Sequence, residues 1–182
     1  MSAEPWQRAE IPGPLKAMPI RTPEDLISKI KKFKRPIIIV GHFVEKLSLD
    51  DVNMVDVIIE LAKAIDAPIV VTSTLINKFR EKGYENVHYM PAMEIADRLR
   101  DPDWEGLDGN GRYDLAIFIG FQYYYEWLML SGLKHFAYTH LKTLSLDPQY
   151  QPHATWSLLT MPDKMWNKFI LTLTESLKKT PG

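Results

Sequence analysis

Six residues have the types and positions expected of a ligand-binding crevice at one edge of a predicted β-sheet. Each of them lies at or just after the end of a long apolar run, where a buried strand would give way to a turn. The six are Gly41, His42, Ser73, Thr74, Gly120 and Phe121. Because the carboxyl ends of parallel strands meet at one edge, we expect these residues to line a crevice for a ribose or phosphate group. The alternative is that they only turn the chain and cap helices.

Motifs of the common nucleotide-binding and hydrolytic sites are absent from the sequence. Gly41 stands alone where a dinucleotide-binding fingerprint has several glycines, and the glycines at 109 and 111 have no Lys-Ser/Thr after them. There is no Gly-x-Ser-x-Gly nucleophile motif. The five histidines include no pair three or four residues apart on a helix beside a carboxylate, so we expect them to have structural or surface roles.

Composition narrows the class of protein further. The 182 residues include no cysteine, which excludes disulfides, thiolate catalysis and an iron–sulfur cluster carried by this chain alone. With 22 basic against 23 acidic residues, the chain has no electrostatic footprint for a nucleic acid backbone. Its apolar runs are shorter than the ~20 residues that a membrane span needs. We therefore expect a soluble, cytoplasmic protein that binds neither nucleic acid nor membrane.

Apolar runs alternate with helical patterns along the chain. Between Pro36 and Gly41 stand four β-branched residues without polar interruption, which indicates a strand covered on both faces. The predicted strands span 35–41, 67–72, 86–90, 113–120, 136–139 and 143–146, and the predicted helices span 24–33, 48–65, 75–82, 91–99, 123–131 and 163–178. Such alternation predicts an α/β fold: a three-layer, Rossmann-like parallel sheet of five or six strands.

Local signals set the expected ends and faces of these elements. Thr22 and Pro23 have the residue types of a helix N-cap and first turn, and Ser48 or Asp50 is expected to cap the second helix. In the helix at 91–99 we expect Met93 to face inward with Ile95, Ala96 and Leu99. Gly132 is expected to end the helix at 123–131, and residues 150–156 are expected to form a loop.

Residues 1–23 form a proline-rich segment that cannot build a core of its own. Five prolines favour extended backbone, whereas Trp6 and several aliphatic residues make it more apolar than a solvated tail. We predict an extended N-terminal arm at 1–23, which lies along the domain or across a partner, and a single domain at 24–182. A flexible leader is the alternative.

The segment from 121 to 127 concentrates aromatic side chains. Its sequence is Phe-Gln-Tyr-Tyr-Tyr-Glu-Trp, and so many rings within two helical turns cannot all face one core. Since amphipathic aromatic residues are enriched at protein interfaces, we favour a protein contact here over a stacking platform for a cofactor.

Several segments, in order, resemble one known family. The most specific is the loop Asp-Pro-Asp-Trp-Glu-Gly-Leu-Asp-Gly at 101–109, which leads into the strand at 113–120. The other segments are 35–41, 67–72, 133–137, 143–147 and 151–154. Together they cover nearly the whole chain and resemble the epsilon subunit of the archaeal carbon monoxide dehydrogenase/acetyl-CoA decarbonylase–synthase complex.

This resemblance implies a fold like the NAD- or FAD-binding middle domain of thiamine-diphosphate enzymes. It also implies a cluster-bearing alpha subunit as partner, in an alpha2-epsilon2 type of assembly within a complex that reversibly cleaves acetyl-CoA. It further implies a homo-oligomer when the chain is isolated. The roles that the family suggests are stabilising the alpha subunit and helping electrons reach FAD, and the family supplies no catalytic residue to transfer.

Two hypotheses from different classes follow. In the first, the chain is a non-catalytic subunit that docks through the arm and the aromatic helix, with Trp6 and Trp127 as contacts. In the second, it is an electron-transfer module that binds FAD or NAD in the crevice formed by the six residues named above. A stand-alone hydrolase or transferase is the third and weakest alternative.

Overall fold

A computed structural model describes residues 15–47 and 53–179. The strands are β1 (Met18–Ile20), β2 (Pro36–Val40), β3 (Ile69–Val71), β4 (Val87–Tyr89), β5 (Leu115–Ile119), β6 (Lys142–Ser145) and β7 (Trp156–Leu158). The helices are α1 (Pro23–Ile30), α2 (Met54–Ala64), α3 (Ile76–Glu81), α4 (Ala92–Arg100), α5 (Tyr123–Phe136) and α6 (Asp163–Lys178). A short 3₁₀ helix, His42–Lys46, follows β2.

All seven strands form one sheet in the order β1-β7-β6-β5-β2-β3-β4, and every neighbouring pair is parallel. The two central strands, β2 and β5, are fully buried and pair in register from Pro36 beside Leu115 to Val40 beside Ile119. Their continuous apolar sequences fit this position, since a central parallel strand has no solvent-facing side. The predicted parallel α/β sheet is confirmed.

Helices cover both faces of the sheet. On one face, buried residues of α1, α2, α3 and α6 join the alternate side chains Ile38 and Val40 of β2 in one hydrophobic cluster. On the other face, buried residues of α4 and α5 pack on Ile37 and Ile39 of the same strand. The three-layer, Rossmann-like architecture that the sequence predicts is therefore confirmed. Within residues 15–47 and 53–179, no helix is long and apolar enough to span a membrane.

The described end of the proline-rich arm is part of the sheet. Ala17 and Met18 donate backbone hydrogen bonds to Pro152 and Thr155, and β1 then pairs with β7. Neither strand was predicted, because each has only three residues and β1 contains Pro19. Residues 1–14, and with them Trp6, lie outside the described residues, so the division into arm and domain stays a prediction.

Several predicted helix boundaries are confirmed and others are wrong. Thr22 caps α1 by accepting a hydrogen bond from Asp25 N, and Pro23 begins the helix as predicted. Asn53 caps α2, whereas Ser48 and Asp50 lie outside the described residues. Gly132 does not end α5, because the helix continues through it to Phe136.

Two further expectations are wrong for reasons of packing. The predicted strand at 136–139 forms the end of α5 and a turn, because the helix extends to bury Leu133 and Ala137 against the sheet. Met93 is largely exposed, and Ala92 is buried in its place at the start of α4.

Candidate functional site

The crevice predicted from the sequence coincides with the point where the sheet reverses its strand order. From β2 the chain runs to β3 on one side, and from β5 it runs to β6 on the other side, so the connections that leave these two adjacent strands go in opposite directions. Open α/β sheets bind ligands outside such a point. Gly41 directly follows β2 and Gly120 directly follows β5.

The backbones of the two glycine turns are in close contact. Gly41 N donates to Ile119 O at 2.9 Å, and Phe43 N donates to Gly120 O at 2.8 Å. A Cβ atom added to Gly41 would lie 2.2 Å from Gly120 O. The atoms nearest to Gly41 therefore belong to the backbone of the second glycine turn. The left-handed backbone is adopted by Gly120, with φ +79°, and not by Gly41, with φ −87°.

On the β5 side of this point, a buried carboxylate accepts hydrogen bonds from two backbone N–H groups. Asp147 follows β6, and its two carboxyl oxygens accept hydrogen bonds from Gly120 N at 2.6 Å and Phe121 N at 3.0 Å. Its side chain thus fixes the turn that leads from β5 into α5. In a dinucleotide site, such N–H groups would face a phosphate.

The structure brings some of the six predicted residues together and separates others. Gly41, Gly120 and Phe121 lie at the point described above, and the exposed ring of His42 lies 4.7 Å from that of Phe43. Thr74 is exposed after β3, where Ser73 Oγ accepts a hydrogen bond from Leu75 N. Of the six, only Phe121 lines the pocket that opens beside the crevice.

That pocket has a volume of about 280 Å³ and combines aromatic walls with a polar floor. The aromatic wall residues are Phe43, Phe121 and Tyr123. The polar floor includes Glu126, Asp147 and Gln151, of which Glu126 is 0% and Gln151 1% exposed. We name these six side chains the carboxyl pocket.

Sequence reasoning missed all three polar floor residues. Two signals were present. Asp147 directly follows the strand-like run at 143–146, and Glu126 occupies the inward helical stripe with Met129, Leu130 and Leu133. A carboxylate in an apolar stripe requires a buried partner, which here comes from a different strand.

The two carboxyl groups of the pocket shift each other's protonation. Burial and the nearby Asp147 raise the pKa of Glu126 well above its usual value. Burial also raises the pKa of Asp147 to about 6, although the hydrogen bonds from Gly120 and Phe121 oppose the rise. Burial therefore favours the protonated form of both carboxyl groups, and the Asp147 carboxylate adds to this effect at Glu126.

The aromatic residues of α5 divide between surface and interior. Tyr124 is 71%, Tyr125 39% and Leu128 54% exposed, and their spacing places all three on one face of the helix. We name these three residues the α5 stripe. Trp127 is half-buried and packs its ring 4.5 Å from that of the buried His153, and its role as a docking contact stays a prediction.

The family-specific loop lies at the opposite edge of the sheet. Arg35 directly precedes β2, and both of its terminal guanidinium nitrogens donate hydrogen bonds to the Asp108 carboxylate. It also donates a hydrogen bond to Gly111 O at 3.0 Å. The guanidinium lies 5.1 Å from the centre of the Tyr113 ring. Because Arg35 and Asn110 both donate to it, Asp108 has a pKa well below its usual range. These contacts give the loop a structural role, and the loop lies at the amino ends of the strands, opposite to the carboxyl pocket.

Comparison with known proteins gives a consistent result. Residues 1–176 match the family described as "CO dehydrogenase beta subunit/acetyl-CoA synthase epsilon subunit". The chain is 36% identical over 166 residues to "Acetyl-CoA decarbonylase/synthase complex subunit epsilon" of Methanothermobacter thermautotrophicus, covering 91% of each chain. It is 38% identical over 151 residues to the protein of the same name from Methanothrix soehngenii, covering 82% of this chain and 77% of that one.

A third relative, of the same name, comes from Methanocaldococcus jannaschii and is 28% identical over 156 residues, 86% of each chain. The family match over residues 1–176 includes the sheet, the glycine crevice and the loop at 101–109. The resemblance inferred from the sequence is thereby confirmed, and the chain belongs to the family of CO dehydrogenase beta subunits and acetyl-CoA synthase epsilon subunits.

Proposed function

We propose that this protein is an accessory subunit of an acetyl-CoA decarbonylase/synthase complex, which docks on the cluster-bearing alpha subunit and stabilises it. Its relatives are named as epsilon subunits of that complex. The chain has no cysteine to offer as a cluster ligand. An alpha2-epsilon2 assembly and a homo-oligomer of the isolated chain form part of the same proposal.

The α5 stripe is the observation that carries this proposal. Tyr124, Tyr125 and Leu128 present two aromatic rings and an aliphatic side chain to solvent on one helix face. Exposing such side chains together has no benefit for a monomer, whereas buried aromatic residues supply much of the binding energy at interfaces. The stripe lies on the α4–α5 side of the sheet, so we place the partner on that side.

Replacing Tyr124 and Leu128 together by alanine is expected to weaken binding to the alpha subunit by about 10- to 100-fold, the usual cost of removing central interface side chains. Co-expression with the alpha subunit followed by affinity purification and calorimetry measures this loss. The thermal midpoint of the isolated variant should stay close to that of wild type, because both side chains are exposed.

Met165 supplies the matched control for the stripe. It is 62% exposed on α6, which covers the other face of the sheet. Met165→Ala should leave the affinity unchanged. If the stripe variant co-purified with the alpha subunit as well as the Met165 variant does, docking through α5 would be wrong.

A dinucleotide-binding electron-transfer module is the second candidate function. It is favoured by the two glycine-ended strands at the switch point and by the pocket beside them. The contacts there do not fit a pyrophosphate, however. The N–H groups of Gly41, Gly120 and Phe121 already donate to protein acceptors, and one of these acceptors is a carboxylate that would repel phosphate.

Calorimetry with the isolated chain decides between the two functions. We expect no binding heat from FAD or NAD at concentrations up to about 1 mM, a level at which even a binding free energy of about −4 kcal/mol would be detected. Saturable heat from either compound, lost when Gly120 is replaced by valine in a variant that remains folded, would instead support binding at the six predicted residues.

A further inference from the structure

We propose that the N-terminal segment of this chain seats Ile11 in a pocket beside the C-terminal end of α5. The described residues begin at Leu15, which itself lines this pocket. Of the two positions that the sequence leaves open for the arm, along its own domain or across a partner, this contact selects the first. It needs no partner chain, so it is independent of the proposed function.

The pocket is open space with mainly apolar walls and a volume of about 280 Å³. Its walls include the buried side chains of Leu133, Leu141 and Ala154. Three further apolar side chains that line it are each more than half exposed, namely Leu15, Met18 and Tyr138. An apolar side chain that enters would therefore bury surface on both groups. We name these six side chains the arm pocket.

The arm pocket lies where the helices leave one face of the sheet uncovered. Within the described part of the chain, four helices cover one face, and α4 and α5 cover the other. Seven strands about 4.8 Å apart span about 29 Å, whereas two helices of about 10 Å diameter cover about 20 Å. Beyond α5, non-helical residues complete the buried cluster, among them Ala17, Tyr150 and Ala154. The described end of the arm is thus already part of this cover.

Hydrogen bonds hold the chain beside the pocket at the point where the described residues begin. Tyr150 Oη donates to Ala17 O at 2.6 Å, and Lys134 Nζ donates to Leu15 O. Because Leu15 is fixed there, Ile11, which precedes it by four residues, cannot lie more than about 14 Å away. Among the larger apolar residues of the arm before Leu15, Ile11 is the nearest to the pocket along the chain.

The sequence between Ile11 and Leu15 favours a reversal of the chain. It reads Pro12-Gly13-Pro14. Proline in the second position and glycine in the third are the preferred residues of a type II turn, whose first and fourth Cα atoms lie less than about 7 Å apart. Ile11 and Pro14 occupy the first and fourth positions, so such a turn returns Ile11 to the side of Leu15.

Tethering and charge favour the chain's own segment over a segment of another molecule. A short linker gives an effective concentration in the millimolar range, which a free partner would have to match. Three lysines stand beside the apolar walls, Lys16, Lys134 and Lys142. Glu10 directly precedes Ile11, and Arg8 offsets part of its charge. Exposed ion pairs contribute little, so the apolar contact of Ile11 supplies most of the stabilisation.

Disulfide trapping tests the contact directly, because the chain has no cysteine of its own. In the double variant Ile11→Cys and Tyr138→Cys, mild oxidation should join the two positions within one chain, since a disulfide requires Cα atoms within about 7 Å of each other. Non-reducing electrophoresis and mass spectrometry of the digested protein identify the bond. The control pairs Ile11→Cys with Met165→Cys, an exposed position on the opposite face, and should react at least about 10-fold more slowly.

Thermal unfolding of single variants measures the stabilisation. Ile11→Ala is expected to lower the thermal midpoint by about 3–5 °C, because it removes most of a partly buried aliphatic side chain. Ile11→Leu should keep most of the wild-type midpoint, since it conserves the volume of the side chain. Gln7→Ala is the control within the same segment and should change the midpoint by less than about 1 °C.

Each measurement can overturn the proposal by itself. Equal trapping rates for the Tyr138 and Met165 pairs would show that Ile11 has no preferred seat. Bonds formed only between two chains would place the segment on a second copy instead. A wild-type midpoint for Ile11→Ala would show that the contact contributes nothing. None of these results involves the alpha subunit, so docking through the α5 stripe is tested separately.

Discussion

Replacing Gly41 by alanine is expected to lower the free energy of unfolding by about 3 kcal/mol, the upper end of the usual cost of overpacking a core. The added Cβ atom would lie 2.2 Å from Gly120 O and 2.9 Å from Phe121 Cδ1. Because the nearest atom belongs to the backbone of the neighbouring turn, relief requires β2 and β5 to separate at their carboxyl ends.

Urea denaturation of the purified chain measures this loss, and Gly132→Ala is its control. Gly132 lies within α5, and a Cβ atom there would have no neighbour within 4 Å. Alanine at this position should raise stability by about 0.5–1 kcal/mol, because glycine is a poor helix former. Similar stabilities for the two variants would contradict the close contact between the glycine turns.

The same two glycines show which parts of the fold the sequence predicts well. Both central strands were predicted because each is an unbroken apolar run, and that pattern depends only on burial from both faces. Gly120 and Gly41 were identified as turn positions for the same reason. Gly132 was misassigned as a helix end, because a glycine in a sequence does not reveal whether tertiary packing carries the helix past it.

The edge strands and the pocket floor depend on contacts between residues far apart in the sequence, which a local sequence pattern does not reveal. Trp156–Leu158 becomes a strand because β6 and β1 lie on either side of it, and three residues carry no periodicity of their own. Glu126 and Asp147 are on different elements, so the pairing that allows their burial follows from the topology. For this reason the sequence analysis placed the glycine turns at the carboxyl edge of the sheet but missed the polar residues beside them.

The glycine contact and the buried carboxylate have a common consequence for the mechanism of docking. Both fix the turn between β5 and α5, and so they set the position of the helix that carries the exposed stripe. A binding surface held by rigid elements loses little entropy when a partner docks. In our proposal, the crevice that binds cofactors in other open α/β sheets instead holds α5 in position to contact a partner.

Replacing Asp147 by alanine is expected to lower the free energy of unfolding by about 2–3 kcal/mol. Two buried N–H groups, those of Gly120 and Phe121, would lose their acceptor. Asp147→Asn retains one acceptor oxygen and should cost less, about 1–2 kcal/mol.

Urea denaturation at pH 7 and amide hydrogen exchange together test this expectation. In Asp147→Ala the Gly120 and Phe121 amides should exchange markedly faster than in wild type, whereas amides in the middle of β2 should change only as much as global stability does. Asp163→Ala is the control, because this exposed carboxylate at the start of α6 should contribute at most about 1 kcal/mol through the helix dipole. Equal stability of the Asp147 and Asp163 variants, with unchanged exchange at Gly120, would show that the carboxylate does not hold the turn.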